Sequence, residues 1–515
     1  MAKGKLKSPK GTRDLYPDDL LKQRYITDAW RRVSIRHGFD EIAGPTFEHL
    51  DLYKIKSGEG IVSELFSFRR EGGDDDYALR PEFTPTLARL YAAKAASLPS
   101  PTKWFTAGPY FRAERPQRGR LREFSQWNCD VVGGAVGEDG AEERARFEAD
   151  LIGCLLDLTT EVGLDSLDVV ASLNDRTLAR ALVHASMNAP DVDDGETRVL
   201  QLLDKRGSMP EEQFRKLASE VMFRVDEYDT ACDALLTSWL AEGDAGARLA
   251  KPAHYEVDLI DTKTDETIWI DGKNASQARI PFRHVCRLLS ERALREYCTV
   301  DFGTVRGLAY YTGTVFELIA DGERAVAGGG RYDNLIELFG GPPTPAVGFG
   351  MGDVVLSLLL EDKNLMPEGA ELREAVSQPA VSVRPEAFVI ADEDQAELVE
   401  PLLASLRRGV QDRSHDESRP WASDRYFIRP LHARRSYRAK RKKQMQDASA
   451  QFAQFAVTVN EPDKVELRDM ENPGDDLTPN SIDTFSKEVR GSFADFSIDP
   501  HSPVYVGKAI ASLLG

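Results

Sequence analysis

Long apolar runs are missing from this sequence. Nowhere do about 18 consecutive apolar residues occur, the length a helix needs to cross a bilayer, so no membrane partner is expected. Cysteine is scarce and scattered: the five residues Cys129, Cys154, Cys232, Cys286 and Cys298 are odd in number and include no C-x-x-C. That excludes a disulfide framework and a cysteine-ligated zinc, and it suits a reducing, cytoplasmic setting. The eight histidines have no metal-ligand spacing, so no metal site built from protein ligands alone is expected. The Lys-rich start, Met1 to Lys10, runs into Gly11-Thr12-Arg13-Asp14 without an apolar stretch and does not read as a secretory leader. Positive charge is in deficit: 66 Lys and Arg against 85 Asp and Glu leave −19 over 515 residues. Taken over the whole chain, that balance favours solubility and disfavours a nucleic-acid partner.

The length suits two to four domains. A helix is expected over Asp19–His37, where Ile26, Ala29, Trp30 and Val33 share one face and Gly38 follows as a stop. Short strand character at Phe39–Ile42 halts at Gly44-Pro45, and Lys103–Arg112 reads as a strand interrupted by Gly108-Pro109. A long amphipathic helix is expected over Ala141–Glu161 and a strand over Asp168–Leu173. Strands and helices mix without a regular βαβ beat, which predicts an α+β fold around a largely antiparallel sheet. From about 175 to 298 the sequence turns charged and mostly helical, as in Val199–Arg206 and Glu211–Phe223, and reads as an insertion within a core spanning 1–360. Strand character returns at Tyr310–Ile319. The stretch 361–384, with Pro367 and Pro379, reads as a linker to a small α/β unit over 385–515. That unit is expected to hold strands at Ala387–Ala391 and Phe455–Val459, helices at Glu393–Arg408 and Ala439–Gln454, and a loop at Gln411–Ala422.

The densest chemistry lies in Phe111–Gln126. Arg112, Arg115, Arg118, Arg120 and Arg122 fall within eleven residues, broken into a loop by Pro116 and Gly119. Guanidinium forks match phosphate and carboxylate bidentately, so this is a polyphosphate cradle unless it is a solvated basic hairpin. Upstream, Glu82 and Thr84 in Leu79–Pro85 share a face if the segment is extended and could hold an ammonium; the same residues equally suit a helix start. Downstream, Val305–Glu317 joins Arg306 to Tyr310 and Tyr311, either an anion-and-ring site or a core strand. Gly328-Gly329-Gly330 permits close approach of a ligand or another strand. Arg434–Lys443 carries seven positive residues in ten and no acid, which suits phosphate-backbone binding over a merely solvated helix face.

In this order the segments resemble the histidyl-tRNA synthetase family of class II aminoacyl-tRNA synthetases. Lys10–Asp14 is similar to that family's opening signature, the first helix, strand and Pro45 to its dimer motif, and Phe111–Gln126 to its second class motif. Val305–Glu317 is similar to its histidine-binding signature, followed by Gly328–Asp333, and the C-terminal unit to its anticodon-binding domain. The resemblance implies ATP-dependent ligation of L-histidine to histidine tRNA through a histidyl-adenylate, with Mg²⁺, by a cytoplasmic homodimer. It implies Arg112 and Arg306 at the α-phosphate and the histidine carboxylate, Glu82, Thr84 and Gln126 around the α-amino group, and Phe83 among the histidine-binding residues. It implies Asp130, Tyr310 and Tyr311 around the imidazole, Phe124 on adenine, and Glu114 and Arg120 nearer the rest of ATP. Arg438, Lys440, Arg441, Lys442 and Lys443 would meet tRNA.

Two departures stand out. Val355 occupies the place where the third class motif carries a nucleotide-stacking arginine, and Ala309 stands where an aspartate commonly precedes the tyrosine pair. Val355 keeps two other readings open: a histidine-binding regulatory subunit of ATP phosphoribosyltransferase, and a degenerate tRNA-binding regulator. The charge of −19 is then an average over an acidic body and two local basic surfaces.

Overall fold

The computed structural model describes residues 7–57, 59–135, 140–187, 195–203, 205–206, 209–241, 272–301, 311–320, 325–392, 395–411, 426–428, 430–461 and 464–470. The first helix, α1 (Pro17–Arg36), carries proline at its first position, where the absent N–H would have had no partner. Gly38, at φ +76, supplies the left-handed reversal that ends it. Tyr25, Ile26, Ala29, Trp30 and Val33 form its buried stripe, as the spacing predicts.

β1 (Asp40–Glu41) follows. Then β2 (Phe47–His49), α2 (Leu50–Ser57), β3 (Ser67–Arg69) and β4 (Asp76–Leu79) form a lobe whose three antiparallel strands lie in the order β2-β4-β3. α3 (Thr84–Ala92) leads to β5 (Thr102–Phe111), β6 (Glu123–Val132), α4 (Ala141–Glu161) and β7 (Val169–Asp175). Five helices come next: α5 (Arg176–Ala185), α6 (Gly195–Leu203), α7 (Glu211–Glu220), α8 (Val225–Ala241) and α9 (Gly272–Glu291). β8 (Cys298–Val300), β9 (Thr314–Ala320), β10 (Ala327–Arg331), α10 (Leu335–Leu338), β11 (Ala346–Gly352) and α11 (Asp353–Asp362) complete the first body.

The main sheet runs β1-β5-β6-β11-β10-β9-β7-β8. Its inner pairings are antiparallel and only the outermost two, β1–β5 and β7–β8, are parallel, the α+β arrangement expected. α1, α4 and α9 cover one face. In the 175–298 stretch, Leu178, Leu182, Tyr228, Phe282 and Leu289 share a single apolar core with α1, α4 and the sheet.

One expectation needs correction. β5 is not interrupted at Gly108-Pro109, because Gly108 stays opposite Gln126 and Pro109 opposite Ser125. Its other neighbour, β1, reaches only Trp104 and Phe105, so Pro109 sits at an open edge, where a missing N–H is tolerated. The 361–384 stretch contains α12 (Gly369–Val376), which buries Leu372 and Ala375 and ties Arg373 to Asp18 of α1 at 2.8 Å. Two turns between Pro367 and Pro379 are too short for a visible period.

The C-terminal body comprises β12 (Ala387–Ala391), α13 (Ala396–Arg408), β13 (Val410–Gln411), β14 (Tyr426–Ile428), β15 (Ala433–Arg435), α14 (Arg441–Ala450), β16 (Phe455–Glu461) and β17 (Lys464–Asp469). Its sheet runs β15-β12-β16-β17, parallel except for β17. β12 is buried throughout, as a run of five apolar residues covered on both faces should be. Most of the expected loop at Gln411–Ala422 lies outside the described residues. Among the described residues no helix is long and apolar enough to cross a membrane.

Buried charges join the two bodies. Asp150 on α4 accepts from Arg407 of α13 at 2.5 Å and from Lys103 of β5, with Arg292 at 3.7 Å. Glu400 of α13 takes Arg292 and, at 2.5 Å, Arg435 of β15. Asp157 pairs with His37 at 2.8 Å and with Arg408. Burial opposes ionisation of Asp150, but Arg407, Lys103 and Arg292 outweigh it and hold the carboxyl well below its usual range.

Candidate active site

Glycines thin the middle of the sheet. Gly328 on β10 and Gly350 and Gly352 on β11 border a cavity of about 780 Å³, also lined by Arg112, Arg120, Phe124, Gln126, Glu317 and Val355. Arg112 follows the last residue of β5, with its guanidinium carbon 5.1 Å from the Phe124 ring centre, a cation–π contact, and its Nε donates to the Pro81 carbonyl at 3.2 Å. Arg120 is tied to Glu114 at 2.5 Å. Arg112 and Arg120 of the arginine-rich segment therefore border the cavity, while Arg115 and Arg118 are exposed to solvent.

Val355 lies in the first turn of α11 and forms part of the cavity wall; a Cβ at Gly119 would stand 3.3 Å from its Cγ2, so the arginine loop rests on it. Two residues earlier, buried Asp353 accepts from the Ser125 amide at 2.9 Å, Arg13 at 2.6 Å and Gln23 at 3.2 Å. One carboxylate thus fixes the opening segment, α1, β6 and α11 together beneath the cavity. Gly11, whose carbonyl takes the Arg122 amide at 2.8 Å, adds a second clasp on the same loop.

Alternate residues of β6 carry the site onward, since side chains two apart share a face. Gln126 borders the cavity and donates to Asn128 at 2.8 Å. Asp130 lies roughly 13 Å beyond Gln126 along the strand. Gly348 of β11 makes room for it: a Cβ there would fall 2.0 Å from Asp130 Oδ1. That oxygen accepts from the Tyr332 hydroxyl, whereas Oδ2, fully buried, has no hydrogen-bond partner among the described residues. Burial pushes the Asp130 carboxyl up to about 7, against the Tyr332 hydrogen bond and the charge of Lys56, which lower it. A buried acceptor without a donor costs free energy, and Asp130 Oδ2 is such an acceptor.

Glu82 lies in the turn before α3, where Lys56 Nζ meets its Oε2 at 2.5 Å. Thr84 is the first residue of α3, so the extended pairing of Glu82 with Thr84 gives way to a helix start. Phe83 is wholly buried in a cluster with Leu87, Tyr110 and Tyr332. Tyr311 is partly buried against the same cluster, and its carbonyl accepts from Arg176. Arg306 and Tyr310 lie outside the described residues. Gly329 and Gly330 approach other strands rather than a ligand: a Cβ at Gly329 would sit 2.4 Å from the Gly348 carbonyl.

Arg438, Lys440, Arg441, Lys442 and Lys443 lie far along the chain, in the turn from β15 into α14. Arg438 pairs with Asp447 at 3.2 Å and Arg441 with Asp392 at 2.8 Å, so the basic stretch is not a wholly solvated run. Sequence reasoning missed Tyr332, Asp353, Glu317 and Lys56. Tyr332 was in view beside the glycine run. Lys56, in a short helix with a second lysine two residues away, has the look of a surface residue. Among the described residues no group of three or more His, Cys, Asp or Glu could hold a metal ion.

Comparison with known proteins shows the family. A sequence profile described as histidyl-tRNA synthetase matches residues 11–352. The histidine–tRNA ligase of Natronomonas pharaonis is 37% identical over 361 residues, 70% of this chain and 75% of that protein. That of Haloarcula marismortui is 36% identical over 409 residues, 78% and 86% of the two chains. That of Thermococcus kodakarensis is 32% identical over 397 residues, 76% and 80%. Two solved structures share the fold. A histidine–tRNA ligase subunit from Alicyclobacillus acidocaldarius has a TM-score of 0.53 and 23% identity, over 71% of this chain and 100% of that one. A structure described as an ATP phosphoribosyltransferase regulatory subunit/histidyl-tRNA synthetase, from Bacillus halodurans, has a TM-score of 0.53 and 19% identity, over 76% and 88%. With a profile match over residues 11–352 and relatives above 30% identity over two thirds or more of its length, this chain belongs to the histidyl-tRNA synthetase family.

Proposed function

We propose that this chain ligates L-histidine to histidine tRNA in two steps. A histidine carboxylate oxygen attacks the α-phosphorus of ATP; the new O–P bond gives histidyl-adenylate and the broken one releases pyrophosphate. A ribose hydroxyl of the terminal adenosine then attacks the histidyl carbonyl carbon, giving up its proton, and AMP leaves. Attack joins two anions, so the work of the protein is positioning and charge stabilisation. Arg112 and Arg306 serve the α-phosphate and the carboxylate. Phe124 stacks on adenine, with Arg120 and Glu114 beside ATP, and Glu82, Thr84 and Gln126 hold the ammonium. Asp130, Tyr310 and Tyr311 read the imidazole, and Phe83 backs the pocket without touching it. ATP would arrive with Mg²⁺, which supplies charge neutralisation of its phosphates; Glu317 offers the hard oxygen donor such an ion prefers.

The observation that carries this reading is the partnerless, buried Asp130 Oδ2, on the same strand face as an arginine-lined nucleotide cavity. An imidazole N–H is the donor it lacks. Formation of acid-precipitable histidyl-tRNA from purified protein, histidine, ATP, Mg²⁺ and tRNA tests it; charging with another amino acid, or none, removes the assignment. Val355 favours the competing regulatory reading, in which histidine binds and no tRNA is charged.

The organisation proposed is a catalytic body over 1–360 with helices 175–298 inserted in sequence, a connection at 361–384 and a tRNA-binding body over 385–515. A homodimer is proposed as well, supported by the exposed aromatic face of the small sheet, where Phe47 packs on Phe68 at 5.8 Å and on Tyr77 at 5.6 Å. For tRNA, the support is local electrostatics. Lys440 caps α14, and Arg441, Lys442 and Lys443 fill its first turn, where the helix dipole disfavours cations and a phosphate would relieve them. Changing Lys440, Lys442 and Lys443 together to Gln should lower charging at subsaturating tRNA about tenfold and flatten its log–log salt dependence by about 2. An unchanged salt slope would take these lysines off the tRNA surface.

A further inference from the structure

Lys56 is on the last turn of α2, yet its side chain is only 8% exposed. Its ammonium meets Glu82 at 2.5 Å, and it is close enough to Asp130 to favour that carboxylate's ionisation. A single desolvated ammonium therefore serves two acids that the reading above assigns to opposite ends of the substrate, one to the α-ammonium and one to the imidazole N–H. Histidine brings both groups at once. A ligand carrying only one of them leaves one carboxylate with nothing to replace Lys56.

The surroundings say where Lys56 would go. It also lines a second cavity of about 420 Å³, with Arg176, Arg180, Thr177, Tyr311 and Asn334 among its walls and no carboxylate among its described lining residues. Space is available there, but it is cationic space. Like charge from Arg176 and Arg180 biases the lysine back toward Glu82 whenever the amino-acid subsite is empty.

We infer that Lys56 is a tethered stand-in for the substrate ammonium: it neutralises Glu82 in the free protein, and histidine must displace it into the neighbouring cavity to bind. This rests on the assignment of Glu82 and Asp130 to the histidine subsite. Lys56 then sets histidine affinity and discrimination by competition, because the measured affinity is the intrinsic one reduced by the fraction of molecules with the subsite open.

The test is histidine-dependent ATP–pyrophosphate exchange by the full chain carrying Lys56→Met or Lys56→Arg. With the subsite closed about nine-tenths of the time, Lys56→Met lowers KM for histidine about tenfold and leaves KM for ATP where it was, while Lys56→Arg stays near the parent. A KM for histidine that rises or does not move in Lys56→Met overturns the inference. Glu82→Gln separates the two layers of the argument: if it leaves KM for histidine unchanged, the subsite assignment itself fails. If it raises that KM while Lys56→Met does not lower it, only the competition fails. A measurement on the unaltered chain guards against a misfolded variant. Labelling of Lys56 by an amine-reactive acylating reagent, read by mass spectrometry, should accelerate when histidine is added. Constant or slower labelling contradicts displacement.

Discussion

Asp130→Ala should lower kcat/KM for histidine in pyrophosphate exchange about a thousandfold, near the ~4 kcal/mol expected when one partner of a buried charged hydrogen bond is truncated. KM for ATP should hardly move, because the nucleotide cavity is bounded by Arg112, Phe124 and α11 and does not include Asp130. The same substitution should make the free protein more stable at neutral and alkaline pH. The reason lies in the direction of the titration. Burial raises the Asp130 carboxyl to about 7, so its charged form is penalised by folding. The folded state then binds more protons than the unfolded chain between about pH 4 and 7, and this group's contribution to stability is lost as pH rises through that window. Removing it removes the loss. A residue that only held the fold together would cost activity and stability alike, so opposite signs in the two measurements are the signature of a ligand-reading group. A fall in kcat/KM smaller than tenfold would take Asp130 out of the amino-acid subsite.

Asp150→Ala should cost about 3–5 kcal/mol in urea unfolding, the penalty for leaving buried charge without its partner. Three cations converge on this carboxylate, and Arg407 belongs to the C-terminal body while Lys103 and Arg292 belong to the first. The loss should therefore appear as uncoupling, with the C-terminal body releasing at lower denaturant than the sheet. Adding Arg407→Met to Asp150→Ala should recover part of the loss, because it removes one stranded charge. A loss below about 1 kcal/mol, or no recovery in the double variant, would mean that the network is solvated in solution. Acid has a related effect. Buried His37 is held near 4 and His432 near 3, so their contributions fall as pH drops below about 6.5. Asp130 and Asp175, both near 7, change in the opposite sense over much of the same range. Below about pH 4 Asp157 and Glu161, each held near 2 against burial by their cationic neighbours, all add to the loss. Stability should be nearly level from about pH 4 to 7 and fall steeply beneath it.

The elements that were legible in the sequence are those whose local chemistry and tertiary surroundings agree. α1 has a proline start, a helical stripe and a glycine stop. α4 has a long stripe, and β12 is five apolar residues in a row. The arginine cluster was legible because glycine and proline announce a loop while five guanidinium groups announce an anion. What stayed hidden depends on pairing between distant segments. Pro109 looks like a break until one knows that the pairing of β1 with β5 stops at Phe105. Arg434 and Arg435 count as nucleic-acid charge until Asp40 and Glu400 are found beside them. Asp353 reads as one acid after a glycine run, though it joins segments more than 300 positions apart in sequence. Lys56 is the extreme case, since nothing local marks a helical lysine as the tenant of a pocket.

Val355 bears most directly on whether the site performs chemistry or only binds. In place of a nucleotide-stacking cation it offers an aliphatic wall to a cavity that Phe124, Arg112 and Arg120 also line, and in the proposed reading those three would hold ATP. The decisive measurement is exchange of labelled pyrophosphate into ATP by the purified chain without tRNA, at saturating ATP and Mg²⁺, with and without histidine. The account predicts exchange that requires histidine and saturates with it. Histidine binding measured by calorimetry, with no exchange at any ATP concentration, would contradict it and leave a histidine-binding regulator in its place.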